Sequence, residues 1–281
     1  MVLVVMKHTL RVTLLLTGLF LLAQLIGLWI LNGYMEKEEM IVDGEKVVNV
    51  TWQGLPYGVE RPEFDEKTSY LPMFGIILIA TLIILVFMKF RLLRLWKFWY
   101  FMSVWFCLTA AIGIFMADRI ALVIAGLLAA GKVVWKNIIL HNATELLIYG
   151  GLAAVFVPFL GLWSVSVLLI LISIYDAIAV WRTKHMVAMA KFQTKLKLFA
   201  GLLIPYGEKK AILGGGDVGF PLFFSGVILK QFGFMDALIV SVIVSLALLV
   251  LLLKSEKNKY YPAMPFLSAG CFLGLLLIWL I

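Results

Sequence analysis

Apolar residues run in long stretches along this chain, and short polar breaks divide them. The stretches fall at about 9–33, 71–88, 98–117, 120–135, 143–160, 161–181, 211–229, 235–253 and 261–281. A helix of about 20 apolar residues crosses the hydrocarbon of a bilayer, so the pattern predicts nine transmembrane helices. Two divisions rest on few residues: Ala117-Asp118-Arg119 is a short polar break, and Phe159-Leu160-Gly161 after Pro158 is barely a turn. The fourth stretch is short and carries Lys132. An extension to Leu140 is open, with Lys132 facing protein or snorkelling to the interface.

The connections carry the remaining information about layout. Lys7 lies before the first stretch and Arg11 at its start; the stretch is too long for a signal peptide and no small-residue cleavage site follows it, so it reads as a retained signal anchor. The loop 34–70 holds nine of the sixteen acidic residues together with Pro, Gly, Tyr and Trp, which predicts an ordered or partly ordered external loop. Asn49-Val50-Thr51 within it fits a glycosylation acceptor. Residues 182–210 form a shorter, basic connection in which Lys184, Lys191 and Lys195 alternate loosely with Met189, Phe192, Leu196 and Phe199. That pattern reads as a solvated interfacial helix. Residues 1–281 therefore read as one polytopic membrane domain.

Composition agrees and narrows the class. The chain is 63% hydrophobic and 14% charged, against roughly 45–50% apolar and about 25% charged for soluble domains. A soluble enzyme is excluded. Cys107 and Cys271 lie inside apolar stretches, far apart in sequence, which excludes a disulfide framework. Three scattered His residues leave no zinc-type cluster, and no cofactor is implied. The net charge of +8 arises from Lys and Arg that gather on one side of the nine-span layout, so it gives no reason to invoke nucleic acid. With the N-terminus inside, eighteen basic residues fall on the inner side and six, Lys37, Lys46, Arg61, Lys67, Arg119 and Lys230, outside. The positive-inside rule then predicts a cytoplasmic N-terminus, an external C-terminus and a multi-pass protein of the cell membrane.

Seven acidic residues lie outside loop 34–70. Asp118, Glu208 and Glu256 each neighbour a basic residue, Asp236 sits in a short turn, and Glu145 lies near His141 at a span end. Interfacial solvation or pairing accounts for these five. Asp176 and Asp217 are different, because apolar or glycine residues surround both. Asp176 precedes Arg182 by six residues and Asp217 follows Lys210 by seven. At 1.5 Å per residue, each is about 9–10 Å inside the same boundary, on adjacent antiparallel spans. Ionisable groups at such depth point to function, the alternative being a structural hydrogen-bonded pair. Two facing carboxyls cannot both ionise cheaply and share one proton. One can then take a proton from water while the other donates toward a scissile carbonyl oxygen, which requires neither metal, His nor Cys.

Two further features lie at the same face. Gly214, Gly215 and Gly216 precede Asp217. Each costs about 1 kcal/mol against Ala inside a helix, so the run implies either a loosened helix start that admits another backbone or tight helix packing. Pro262-Ala263-Met264-Pro265 opens the last stretch. Its prolines fit a first helical turn and also keep that end rigid enough to help hold an extended substrate strand.

Taken in order, Tyr175-Asp176, Gly214-Gly215-Gly216-Asp217 and Pro262-Ala263-Met264 resemble the presenilin and signal peptide peptidase family of intramembrane aspartyl proteases, whose pattern is Tyr-Asp, Gly-x-Gly-Asp and Pro-Ala-Leu. The resemblance implies a nine-helix, all-α membrane fold in which Asp176 and Asp217 are the catalytic pair. It also implies that Pro262, Ala263 and Met264 shape the site, with Tyr175 supporting Asp176 or the substrate. The substrates it implies are transmembrane segments of other proteins, met in the bilayer. Nothing in the sequence requires accessory subunits. The inward N-terminus and the lack of a long hydrophilic insert look most like the archaeal presenilin homologues. Three departures stand out: Met264 replaces Leu, Gly215 fills the position where presenilins carry a larger apolar residue, and 182–210 is too short to carry over presenilin's self-cleavage. A different class remains open from the residues alone, a transporter or channel that moves protons or cations past the same two aspartates.

Overall fold

The structure, a computed structural model, describes residues 9–42, 45–135, 137–196, 198–207, 209–256 and 260–280. Helix α1 (Leu10–Tyr34) begins at Thr9, whose hydroxyl accepts the Val12 amide at 3.4 Å. It continues into an antiparallel hairpin, β1 (Met35–Val42) and β2 (Glu45–Trp52). The Asn49-Val50-Thr51 tripeptide lies within β2. Then follow α2 (Tyr70–Lys89), α3 (Leu93–Gly113), α4 (Asp118–Trp135), α5 (Ile138–Phe156) and α6 (Leu162–Ala177). A π-helical turn carries α6 on to Arg182. After α7 (His185–Leu196) comes a second hairpin, β3 (Gly201–Tyr206) and β4 (Lys209–Gly214). Helices α8 (Gly215–Gln231), α9 (Phe234–Lys254) and α10 (Met264–Leu280) complete the chain.

Among the described residues, α1, α2, α3, α9, the α5 segment to Phe159 and the α6 segment to Arg182 are six helices long and apolar enough to cross a membrane, and α10 is a shorter apolar helix. Helix α1 runs through the main core, packed against α5, α8 and α9. A second apolar core joins α3 and α4 with the edge of α7. Helix α2 contacts only α3, α6 and α7 substantially, and most of it faces outward. Small residues bring helices together where larger ones would clash, as lipid-embedded packing requires. A Cβ on Gly151 of α5 would meet the Cys107 carbonyl of α3 at 1.9 Å.

Loop 53–69 is held by specific bonds. Tyr57 donates its amide to Asp118 at 2.9 Å, and Arg61 donates to the Ala154 carbonyl at 3.0 Å. Glu66 pairs with Lys230, and Ser164 donates to its carbonyl. The β3–β4 hairpin, by contrast, bonds to α5 at His141 and Asn142. The two loop regions therefore attach near opposite ends of α5, about 20 Å apart along its axis.

The boundaries shift most at three places, one of them α5, which begins at Ile138, five residues before its expected start. The third helix begins at Leu93, five residues before its expected start, and carries Arg94 and Lys97 in its first turns. The expected seventh span began at 211, yet Lys209–Gly214 is a strand and α8 starts at Gly215. A four-residue apolar run suits either state, and Ala211, Ile212 and Leu213 find strand partners in Ile204, Leu203 and Leu202. Gly207, at φ +56°, makes the turn between the strands.

Candidate active site

Asp176 sits in the last turn of α6, ahead of the π-helical segment, and is 4% exposed. Its Oδ2 accepts the backbone N–H of Met264 at 3.1 Å, and the Ala263 amide also acts on it. This follows from the local sequence. The Ala263 carbonyl accepts the Phe266 and Leu267 amides, so Met264 is the first residue of α10 and its N–H has no partner within the helix. Pro265 has no N–H to satisfy. A carboxylate at that end meets both the free donor and the positive end of the helix dipole. The Ser173 and Ser268 hydroxyls, 2.8 Å apart, join the same two helices deeper in the bundle and fix their register.

Asp217 reaches the site from another helix start. Gly214 is the N-cap of α8, in extended backbone, so Asp217 is the third helical residue. A side chain at that position can turn back toward the N-cap, and a Cβ added to Gly214 would lie 3.1 Å from Asp217 Oδ2. Asp217 is only partly covered, unlike Asp176. Helices α6 and α8, which carry the two carboxyls, are neighbours. Asp176 thus meets the amide that opens α10, and Asp217 sits in the first turn of α8.

Each of the three glycines has a neighbour that limits its size. A Cβ on Gly214 would come within 3.1 Å of Asp217 Oδ2, one on Gly215 within 3.3 Å of the Ala200 carbonyl, and one on Gly216 within 3.3 Å of Phe220. Together they border a cavity of about 440 Å³ whose other walls include Tyr149, Met186, Met189, Phe220 and Phe223. The run thus ends a strand and opens a helix beside a cavity. Pro262 and Met264 are buried and Ala263 partly so. The Tyr175 hydroxyl lies elsewhere, 2.9 Å from His185 Nε2, while Thr183 Oγ1 meets His185 Nδ1 at 2.6 Å.

Two features near the site escaped the sequence reading. Gln24 of α1 is fully buried and donates to the Val218 carbonyl at 3.0 Å, one residue past Asp217. Its signal was a lone amide in an apolar stretch. Lys132 and Glu145 form a buried ion pair at 2.7 Å, and Tyr149 donates to the other Glu145 oxygen at 2.7 Å. Lys132 thus faces protein, and Glu145 is paired inside the bundle rather than solvated at its edge. Among the described residues, no group of three or more His, Cys, Asp or Glu is arranged to hold a metal ion. What the arrangement offers is paired carboxyl chemistry with proton exchange between two oxygen acids.

Comparison with known proteins points the same way. The family model for signal-peptide peptidase and presenilin aspartyl proteases matches residues 59–216, a stretch that includes Asp176 and ends immediately before Asp217. Two solved structures of a presenilin family intramembrane aspartate protease, in C222 and P2 space groups, superpose with TM-scores of 0.66 and 0.63 at 22% identity. Each alignment covers 94% of this chain, with 97% and 96% of the respective solved chains. No curated protein sequence matches significantly. The family match spans more than half of the sequence, and the chain is an integral, multi-pass membrane protein belonging to the signal-peptide peptidase and presenilin aspartyl protease family.

Proposed function

We propose that this protein hydrolyses peptide bonds within transmembrane segments of other membrane proteins, using Asp176 and Asp217 as an acid/base pair. The ionised carboxyl takes a proton from water as the water oxygen bonds to the scissile carbonyl carbon. The protonated carboxyl gives its proton to the carbonyl oxygen. Collapse of the resulting diol breaks the C–N bond, with the amine nitrogen protonated by the pair. Water reaches the site along the partly covered Asp217, since hydrocarbon would exclude it. The chain threads the bilayer nine times in this reading, with the N-terminus and 182–210 inside and the C-terminus outside.

A helical substrate must unwind first, because its carbonyls are otherwise engaged. The unwound strand adds to backbone flanking Asp217 and Pro262. Support for that comes from the edge of β4, which ends in the N-cap of the helix that bears Asp217. The observation that carries the whole reading is the placement of two carboxyls on neighbouring helices, Asp176 met by the Met264 amide and Asp217 in the first turn of α8. Incubation of the purified protein with a single-span reporter tests it. Cleavage inside the span, blocked by an aspartic transition-state mimic, is expected. An intact reporter together with no binding of the mimic contradicts the reading, and proton flux through reconstituted vesicles would then favour transport past the same aspartates.

A further inference from the structure

The β3–β4 hairpin has two outer edges, and the structure treats them differently. Along β3, the Asn142 side chain acts as a substitute strand. Its Nδ2 donates to the Leu203 carbonyl at 2.7 Å, and its Oδ1 accepts the Leu203 amide at 3.0 Å. The preceding residue, His141, meets the Gly201 carbonyl through Nε2 at 2.8 Å, two positions earlier on β3. Pro205 has no amide to offer. On the outward side of β3 the Gly201 carbonyl and both Leu203 groups are therefore taken, and Pro205 offers no donor.

The same bonds fix the geometry of the other edge. Both backbone groups of Leu203 point away from β4, so Leu203 and Ile212 form a non-hydrogen-bonded pair of the antiparallel ladder. Alternation then turns the backbone groups of Lys210, Ile212 and Gly214 toward the far edge of β4, where no third strand is paired among the described residues. Gly214, the last of these, is the N-cap of the helix that carries Asp217, and a Cβ added to it would lie 3.1 Å from Asp217 Oδ2. The Gly215 amide donates to the Ala200 carbonyl at 3.0 Å and ties the start of α8 to the start of β3.

The clamp itself has a foundation. Lys132 Nζ donates to the His141 carbonyl at 3.2 Å, to Thr144 Oγ1 at 2.8 Å and to Glu145 at 2.7 Å. That buried charge holds the first turn of α5, from which His141 and Asn142 project. A continuous path of hydrogen bonds runs from Lys132 through His141 to Gly201, and the hairpin carries it to Asp217.

We propose that Asn142 and His141 are positioning residues for proteolysis. They close the β3 edge, leave β4 as the one edge to which a substrate strand adds, and hold the β4–α8 junction so that Asp217 meets a single scissile bond. This rests on the proposed protease reading. The test uses the full-length protein in detergent with a single-span reporter, reading kcat, KM and the cleavage position by mass spectrometry. Asn142→Leu keeps the number and branching of side-chain heavy atoms but removes both bonds to Leu203. Its kcat is expected to fall by about 10²-fold, as for a reacting group displaced by about 1 Å, while KM changes little. Cleavage should spread to bonds on either side of the parent site. His141→Gln, which retains a donor for the Gly201 carbonyl, should cut at the parent position, whereas His141→Leu should not.

A purely structural role would lower Tm and the folded fraction but leave the position and the kcat per folded molecule unchanged. That result for Asn142→Leu overturns the proposal while the protease reading stands. An inactive parent overturns the reading itself and the proposal with it. If Asn142→Leu does not fold, Asn142→Asp keeps the acceptor and volume and is read by the same criteria.

Discussion

A buried carboxylate needs a partner, and Glu145 and Asp176 obtain theirs by different means. Glu145 has the Lys132 ammonium and the Tyr149 hydroxyl. Asp176 has the free amide at the start of α10. The Lys132–Glu145 pair is about 1–2% exposed on each side, and removing one member strands the other charge at a cost of about 3–5 kcal/mol. Lys132→Met should therefore lower unfolding stability in detergent by that amount, and Lys132→Met with Glu145→Leu should recover most of it. Equal losses for the single and double variants would show that the pair is not coupled. His185 gives a pH-dependent prediction. Burial holds its imidazole below the ordinary value. The unfolded chain therefore takes up that proton first, and the stability contributed is present above about pH 6.5 and declines as pH falls through it. Between pH 8 and 5, the parent should lose more Tm than His185→Gln; parallel curves would contradict this.

Elements meet at positions where no side chain fits. Gly151→Ala places a methyl against the Cys107 backbone, which cannot move without shifting α3. Overpacking of a tight core costs about 1–3 kcal/mol, and the upper end is expected here because the obstacle is main chain. Thermal unfolding measures it. Gly214→Ala acts on the reaction, since its methyl would press on Asp217 Oδ2 at 3.1 Å. A loss of kcat of up to about 10²-fold is expected, larger than any change in KM. The long helices were readable from apolar stretches alone, because each is far longer than a strand. The hairpin at 201–214 was not. Residues 211–213 are apolar, and only pairing with Leu202, Leu203 and Ile204 decides that they form a strand. The Lys132–Glu145 pair was hidden for a related reason: the partners sit on different helices, and each alone looks like an interfacial charge. Gln24 did leave a trace, a single amide among apolar neighbours, but its target is 194 positions away.

For the whole molecule, composition settled the solvent, and two aspartates among apolar and glycine residues drew attention to one face. The sequence did not disclose that the amide opening α10 meets Asp176, since that depends on how α6 and α10 pack. The proposed threading has its own check. Glu63 and Lys184 are exposed, on loop 53–69 and before α7, and the native Cys107 and Cys271 are buried. In sealed, right-side-out vesicles, an impermeant thiol reagent should label Glu63→Cys and leave Lys184→Cys unlabelled until the membrane is opened. Labelling of both, or the reverse order, would contradict the orientation.

The account turns on Asp176 and Asp217 acting together on one peptide bond. The most direct measurement is cleavage of a single-span reporter by purified parent, Asp176→Asn and Asp217→Asn proteins of matched folded fraction. Parent activity that either substitution abolishes, leaving Tm within a few degrees, is the predicted result. Cleavage that survives either substitution at a comparable rate would contradict it.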